Sequence, residues 1–463
     1  MEKREKFSSR LGFILISAGC AIGLGNVYRF PIITGAYGGG IFVLIYLAFL
    51  LALGIPVMCC ELSVGRASQR SIATSFEQLE RPGQKWHWMK YLGIGGNYLL
   101  MMCYTTIAGW MLLYFLKYLC NTGIMDVPAA DLGAHFGQTI TSTGTVFGST
   151  VAVILICFTI CSAGLQKGVE RVTKYMMLAL FFLIIGLAVY SCTLPGAGEG
   201  LSFYLIPSFD RLGETDLLTV ITAAMGQAFF TLSVGIGCIA IFGSYISKER
   251  TLLGEAVTIT ALDTLVALAA GFIIFPACFT YLGADAVDAG NAGAGFLFTT
   301  LSSIFNTMGP VLGRIIGSLF FLFLIFAAFS TVIAVFENII SFWLEKTKLS
   351  RSTICVINAN LIVLLSLPAI LGLSVWSELS IPGIGGILDI EDFIVSNLML
   401  PLGSMLYVIF CTSRYGWGWK EFCTEVNTGS GLKFPRWIRL YVTFLLPLVI
   451  LALMAFSIVT KFI

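Results

Sequence analysis

The stretch GCAIGLGN, residues 19–26, interrupts an apolar segment that begins at residue 10 and continues past Pro31. Glycine costs about 1 kcal/mol relative to alanine inside a helix, so this cluster of glycines weakens the helix near its middle. A second interruption, TLSVGIG at 231–237, breaks a later apolar segment. The Gly19–Gly23 pair alone would also fit a close helix-packing face. Because the interruption recurs, the sequence favours two broken helices over a helix-packing face.

The composition indicates an integral membrane protein. Of the 463 residues, 57% are hydrophobic and 11% are charged, whereas soluble domains carry about 25% charged residues. The net charge of +2 gives no reason to expect a nucleic-acid partner. Most of the 13 cysteines lie in apolar segments, and no Cys/His cluster has metal-ligand spacing. We therefore interpret the cysteines as small buried hydrophobes.

Apolar segments of about 20 residues, the length that crosses a bilayer as a helix, recur along the whole chain. They predict an all-α integral membrane protein with eleven transmembrane helices in a single domain covering residues 1–463. We interpret the first as a retained span rather than a cleaved signal peptide. Numbered in chain order, spans 1–11 are 10–35, 40–66, 89–119, 147–165, 170–193, 216–246, 252–283, 311–343, 353–373, 388–412 and 437–460.

The distribution of basic residues predicts the orientation in the cell membrane. With the N-terminus in the cytoplasm, most of the 27 lysine and arginine residues fall in loops on the cytoplasmic side. The odd number of spans then places the C-terminus outside. The breaks in spans 1 and 6 lie five spans apart, which predicts a 5+5 inverted repeat. Its parts are repeat one at 10–193, repeat two at 216–412 and an additional helix at 437–460.

Broken helices at corresponding positions of two halves indicate the substrate site of a transporter. Lipid cannot satisfy the N–H and C=O groups that unwinding frees, whereas ions and a zwitterionic substrate can. A channel or substrate-gated sensor on the same fold is the main alternative. An intramembrane enzyme is disfavoured, since the spans hold no His/Asp/Ser or metal constellation, and no GxxxxGK[ST] phosphate loop is present.

The first broken segment, written out as SRLGFILISAGCAIGLGNVYRFP, closely resembles the first-helix signature of the neurotransmitter:sodium symporter family. The similarity continues in order along the chain. It is carried by GIPVMCCELSVGR, YTTIAGW, QKGVERVTK, GQAFFTLSVGIG and LDIEDF. Eleven helices rather than twelve are similar to the bacterial amino-acid transporters of the family. The resemblance implies a sodium-coupled symporter that imports an amino acid by alternating access.

The resemblance further implies two sodium sites made of hard oxygen donors, which suit an alkali cation better than a soft metal. The residues of the first site would be Ala21, Asn26, Thr231 and Asp263. The residues of the second site would be Gly19, Ile22, Ala327, Ser330 and Thr331. Without the resemblance, the two adjacent hydroxyls of span 8 would be expected to bond back to their own helix.

The implied substrate site lies between spans 1, 3, 6 and 8. The groups facing the backbone of an amino acid would be Ala21, Leu24, Gly25, Tyr104, Phe230, Thr231 and Ser233. The groups facing its side chain would be Leu100, Ile107, Phe230, Ile236 and Val335. Because this second set is apolar, we expect an apolar or aromatic side chain. Gly23 stands where amine-transporting relatives carry an acidic residue, which favours an amino acid over a monoamine.

Charged residues at membrane depth indicate function, because each costs at least about 2.5–3.5 kcal/mol. The resemblance implies that Arg29 and Asp392 close an outer gate; a static structural ion pair is the alternative. The inner gate would comprise Arg4, Tyr245 and Glu345. Glu61 of span 2 resembles a family glutamate that braces the unwound part of span 1.

Three positions carry more specific expectations. Asp263 replaces the asparagine of many animal relatives that need chloride nearby, so its carboxylate predicts chloride-independent transport. Leu178 occupies the position of a proline that often lets span 5 unwind in bacterial members, so the sequence argues against inward opening through that unwinding. Glu337 is either a pH-sensitive element or a hydrogen-bonded residue facing Tyr245, and we favour the second interpretation.

Overall fold

A computed structural model describes residues 7, 9–212, 216–282 and 295–462, and most of these are helical. Arg4 of the predicted inner gate lies outside the described residues. Within them, nine helices are long and apolar enough to cross a membrane, or ten if one bent pair counts as a span. The nine are Gly40–Ser68, Trp86–Leu119, Thr143–Ser162, Leu165–Cys192, Leu252–Tyr281, Leu312–Lys346, Arg351–Gly372, Ile387–Thr412 and Arg436–Thr460.

These nine helices coincide with predicted spans 2–5 and 7–11. Span 1 is the bent pair, Arg10–Ala21 and Gly25–Ala36, whose axes differ by 50°. Span 6 consists of Leu217–Leu232 and Cys238–Gly243, with residues 233–237 between them outside any helix. Neither part has bilayer length, so the count of eleven stays a prediction.

Both interruptions fall at the glycine-rich stretches. Ile22 leaves the helical region with ψ of 96°, and its extended conformation ends the first half of span 1. In span 6, Ser233, Gly235 and Gly237 have φ of 52°, 102° and 84°. Glycine adopts such left-handed conformations without steric cost. The local sequence therefore specifies where each helix stops.

Short helices and a short β-ribbon lie between the spans. They were not predicted, because an apolar segment of bilayer length indicates only a membrane-spanning helix. The short helices are Ser75–Leu79, Leu132–Thr141, Ala197–Leu205, Phe296–Thr307 and Trp419–Val426. A small antiparallel ribbon pairs Ser380–Ile381 with Gly385–Gly386. Among the described residues, five turns of π-helix also occur within the spans, and such turns are frequent at functional sites. They are Gly25–Arg29, Leu50–Gly54, Leu165–Glu170, Ile394–Met399 and Tyr441–Leu445.

Span 8 lies at the centre of the bundle and packs most extensively against span 3. Its segment 327–342 is buried throughout. Spans 5 and 11 are at the periphery, where Phe182 is 78% exposed and Phe444 is 68% exposed. Large apolar side chains on an outer surface are expected where lipid is the solvent. The central position of span 8 brings its two hydroxyl residues next to the broken helices.

Spans 2 and 6 touch through their backbones near the second half of span 6. A Cβ atom added to Gly65 would lie 1.9 Å from the Ala240 carbonyl oxygen. One added to Gly243 would lie 2.6 Å from the Leu62 carbonyl oxygen. Contacts this close exclude any side chain at either glycine, since protein interiors are already close-packed. The short helix Cys238–Gly243 is therefore held against span 2.

Candidate functional site

The two broken segments lie side by side and enclose a pocket near the middle of the bundle. Its volume is about 10 Å³, so side chains fill most of the space between the spans. The lining residues come from spans 1, 3, 6, 8 and 10. They are Ala21, Gly23, Gly25, Leu100, Tyr104, Phe230, Ser233, Thr331 and Leu400.

Most of the predicted substrate residues line this pocket or the cavity next to it. Leu24 and Ile107 line an adjacent cavity of about 240 Å³ that also contains Arg29 and Asp392. We call the face of the molecule carrying these two charges the outer face. Ile236 is fully buried and faces span 3, where a Cβ on Gly96 would lie 2.6 Å from its Cγ2 atom.

Val335 is fully buried in span 8 and is not among the residues that line either cavity. Its predicted contact with the substrate, like that of Ile236, stays a prediction. Leu400 of span 10 does line the pocket, and the sequence analysis missed it. No local signal marks it, because it is one leucine within an apolar helix.

The backbone of span 1 forms the polar end of the pocket. The Leu24 N–H donates to the Tyr104 hydroxyl at 2.8 Å, and the Gly23 N–H donates to Asn26 Oδ1 at 3.1 Å. A Cβ on Gly23 would lie 2.3 Å from both the Thr331 Oγ1 and Tyr104 hydroxyl oxygens. A side chain at position 23 would therefore require the Thr331 and Tyr104 hydroxyls to move.

Asn26 and Thr231, two of the residues predicted for the first sodium site, contact Asp263, which is fully buried in span 7. Asn26 Nδ2 donates to Asp263 Oδ1 at 2.8 Å, and Thr231 Oγ1 donates to Asp263 Oδ2 at 3.1 Å. In the part of the chain that is described, no lysine, arginine or histidine forms an ion pair with Asp263. A buried carboxylate without a cationic partner is costly. Carboxylate, amide and hydroxyl oxygens are ligands that suit a small hard cation.

The residues predicted for the second sodium site also meet, between spans 1 and 8. Ser330 Oγ lies 2.8 Å from the Ala327 carbonyl of its own helix, the bond expected without the resemblance, and 3.1 Å from the Ile22 carbonyl of span 1. Thr331 Oγ1 lies within 3.4 Å of the Gly19 and Ile22 carbonyls. The Cys20 carbonyl was not predicted, but it lies 3.2 Å from Thr331 Oγ1. A carbonyl carries no side-chain signature, so such contacts could be expected only from the resemblance, which did not include Cys20.

Glu61 is fully buried, and it supports a broken helix as predicted, but its hydrogen bonds go to span 6 and not to span 1. Its Oε2 atom accepts from the Gly235 N–H at 2.7 Å. Its Oε1 atom accepts from the Ile239 and Ala240 N–H groups at 3.0 and 3.3 Å. Glu61 thus braces the unwound part of span 6 rather than that of span 1. The physical reason is that span 2 packs on the start of Cys238–Gly243, where backbone N–H groups lack helical partners.

The predicted outer gate forms an ion pair in this structure. Arg29 Nη1 lies 3.2 Å from Asp392 Oδ1 and 2.6 Å from Ser396 Oγ. The Arg29 guanidinium also lies over the Phe230 ring, 4.6 Å from its centroid. Ser396 was missed, although its position one helical turn after Asp392 places both on one face. The gate therefore rests directly on a residue of the pocket wall.

Two residues of the predicted inner gate, Glu345 and Tyr245, form side-chain hydrogen bonds within the described part of the chain. Glu345 accepts from the Ser71 N–H and the Thr74 hydroxyl, each at 2.7 Å. The Tyr245 hydroxyl donates to Glu337 Oε1 at 3.0 Å, as the favoured interpretation expected.

Glu337 also forms a salt bridge with Arg351, the first residue of span 9. The sequence analysis missed this partner because the two residues lie on different helices. Span 5 is a continuous α-helix from Arg171 to Cys192, and Leu178 lies within it, 38% exposed. The chain is therefore helical at the position where a proline could let span 5 unwind.

Comparison with known proteins gives consistent matches over nearly the whole chain. An uncharacterized sodium-dependent transporter of Bacillus subtilis is 32% identical over 457 residues, covering 97% of each chain. One of Haemophilus influenzae is 31% identical over 464 residues, covering 98% of each. The crystal structure of MhsT in complex with L-phenylalanine is similar with a TM-score of 0.87 at 36% identity. That match covers 98% of this chain and 99% of the other.

The protein is thus a multi-pass membrane transporter of a sodium-dependent group, not an enzyme. The sequence model described as the sodium:neurotransmitter symporter family matches residues 4–123 and 130–462. These residues include both helix breaks, the Asp263 cluster and the Arg29–Asp392 pair. The chain therefore belongs to the sodium:neurotransmitter symporter family.

Proposed function

We propose that the protein imports an amino acid with an apolar or aromatic side chain by sodium-coupled, chloride-independent symport. The observation that carries the proposal is the pocket between the two breaks. Backbone groups of span 1 and the Tyr104 hydroxyl provide a polar end, while Leu100 and Phe230 provide apolar walls. An α-amino acid has the same division into a zwitterionic and a side-chain part. The L-phenylalanine bound to MhsT supports this substrate class.

The proposed cycle is alternating access across an eleven-span fold with two inverted repeats, its N-terminus cytoplasmic and C-terminus extracellular. Two sodium ions and the substrate bind from outside, and Arg29 and Asp392 close above them. Each charge moved across 100 mV supplies about 2.3 kcal/mol. Two ions therefore supply about 4.6 kcal/mol, which supports roughly thousandfold accumulation of a neutral amino acid at about 1.4 kcal/mol per decade.

Purified protein in proteoliposomes is expected to accumulate at least one apolar or aromatic amino acid when an inward sodium gradient is imposed. The reason is that Asp263 offers a cation the only carboxylate charge among the residues predicted to bind sodium. The measurement is radiolabelled uptake of each of the common amino acids, with potassium replacing sodium as the control. Uptake of none of them would contradict the proposal. Equilibration without accumulation would instead identify the channel that the sequence left as an alternative.

Replacing chloride with gluconate on both sides of the membrane is expected to leave the initial uptake rate unchanged. The carboxylate of Asp263 would balance the charge of the first sodium ion, so no separate anion is needed. The control is the same substitution in the absence of sodium, which reports any leak. A large loss of sodium-driven uptake in gluconate would contradict chloride independence while leaving amino-acid symport intact.

A further inference from the structure

We infer that span 10 forms part of the side-chain end of the substrate pocket, and that Leu400 sets the size of side chain accepted. This inference rests on the proposed function, whose implied site used only spans 1, 3, 6 and 8. Leu400 lines the pocket together with Leu100 and Phe230, and it is 1% exposed. These three side chains enclose the apolar end, so removing or enlarging one of them changes the space available there.

The position of Leu400 is fixed by contact between two backbones. Gly235, in the break of span 6, has φ of 102°, and a Cβ there would lie 2.3 Å from the Leu400 carbonyl oxygen. In return, a Cβ on Gly403 would lie 2.0 Å from the Gly235 carbonyl oxygen. The break of span 6 is thus pressed against span 10 without intervening side chains. Span 10 is a structural wall of the site rather than a neighbour beyond it.

The helix itself is irregular where it reaches the pocket. The π-helical turn Ile394–Met399 ends immediately before Leu400, and Pro401 follows it. A π-turn inserts an extra residue into a helix and is frequent at functional sites. Proline lacks the N–H that would continue the backbone ladder. These two features together set the direction of the helix at the residue that lines the pocket.

Span 10 also connects the pocket wall to the outer gate. Asp392, Ser396 and Leu400 are spaced four residues apart along it, and Arg29 contacts the first two. Arg29 additionally covers the ring of Phe230, which lines the pocket and packs against Gly25 of span 1. A substrate side chain that displaces Phe230 therefore displaces a partner of Arg29, and one that displaces Leu400 pushes on the helix that carries Asp392 and Ser396. A substrate side chain that is too large would therefore prevent Arg29 and Asp392 from closing the outer gate.

Three variants test this in proteoliposomes. Replacing a residue of an apolar pocket changes discrimination by about tenfold or more for each methylene gained or lost. Leu400→Ala is expected to raise the ratio of kcat/KM for tryptophan over leucine by at least about tenfold. Leu400→Phe is expected to lower that ratio by a similar factor. Leu402→Ala is the matched control, because Leu402 is a half-buried leucine on the same helix that does not line the pocket.

Wild-type ratios in both Leu400 variants, with transport by the wild type intact, would overturn the inference and leave the proposed function standing. An equal shift in Leu402→Ala would also overturn it, since a general loosening of the helix would then suffice. Absence of amino-acid uptake by the wild type would instead overturn the proposed function. Should Leu400→Ala not fold, Leu400→Val gives the same test. Its ratio is expected to rise, and an unchanged ratio counts against the inference.

Discussion

Asp263→Asn is expected to raise the sodium concentration for half-maximal uptake by about 10²–10³-fold. The change removes the carboxylate charge from a cluster whose other predicted donors, the Ala21 carbonyl, Asn26 and Thr231, are neutral. A unit charge 4 Å from a cation contributes about 4 kcal/mol at an effective dielectric constant of 20. About 1.4 kcal/mol corresponds to a tenfold change in affinity. The measurement is uptake as a function of sodium concentration at saturating substrate.

A charge swap provides the matched control for this prediction. Asn26 Nδ2 lies 2.8 Å from Asp263 Oδ1, so the two side chains occupy one site. The double variant Asn26→Asp/Asp263→Asn returns a carboxylate to that site with nearly the same volume. It is expected to recover a large part of the lost sodium affinity. An unchanged sodium dependence in Asp263→Asn would show that the carboxylate does not bind the coupled ion.

Glu61→Ala is expected to abolish uptake and lower the melting temperature of the purified protein. The variant removes the acceptor of the Gly235, Ile239 and Ala240 N–H groups, all in a fully buried environment. Each buried donor left without an acceptor costs about 1–3 kcal/mol. The break of span 6, which forms one wall of the pocket, would therefore lose its support. Thermal unfolding in detergent and uptake in proteoliposomes measure the two effects.

Glu61→Gln tests whether the effects come from losing the hydrogen bonds between Glu61 and span 6 or from general damage to span 2. Glutamine keeps the shape and one acceptor oxygen but turns an NH₂ group towards backbone donors. Its stability and uptake are expected to lie between those of the wild type and Glu61→Ala. If Glu61→Ala melted like the wild type and transported normally, the hydrogen bonds to span 6 would have no energetic role.

The sequence predicted those parts of the site that depend on unusual local chemistry. Glycines destabilise an apolar helix, so the glycine-rich stretches 19–26 and 231–237 could be predicted to interrupt their helices. Asp263 and the Ser330–Thr331 pair stand out for the same reason, because polar groups in apolar helices need partners. The family resemblance implied which residues each of them would meet. In the structure Asp263 contacts Asn26 and Thr231, and Ser330 separately contacts the Ile22 carbonyl.

The missed features depend on packing between distant segments. Leu400 is an ordinary leucine whose role arises from the contact of Gly235 with span 10. Glu61 was assigned to the wrong broken helix, because its sequence neighbours do not reveal which backbone it faces. Arg351 was not recognised as the partner of Glu337, since it begins a different helix. In each case the decisive quantity is a distance across the bundle, which no local pattern encodes.

The backbone contact between spans 2 and 6 also limits how this gene can diverge. Every amino-acid replacement at Gly65 or Gly243 adds a Cβ, which would collide with the Ala240 or Leu62 carbonyl. Every missense allele at these two codons is therefore harmful, whatever the chemistry of the new residue. By contrast, an exposed position on the outer surface of the bundle, such as Phe182, accepts many apolar residues. Among descendants of this sequence, these two glycines would persist after most peripheral positions had changed.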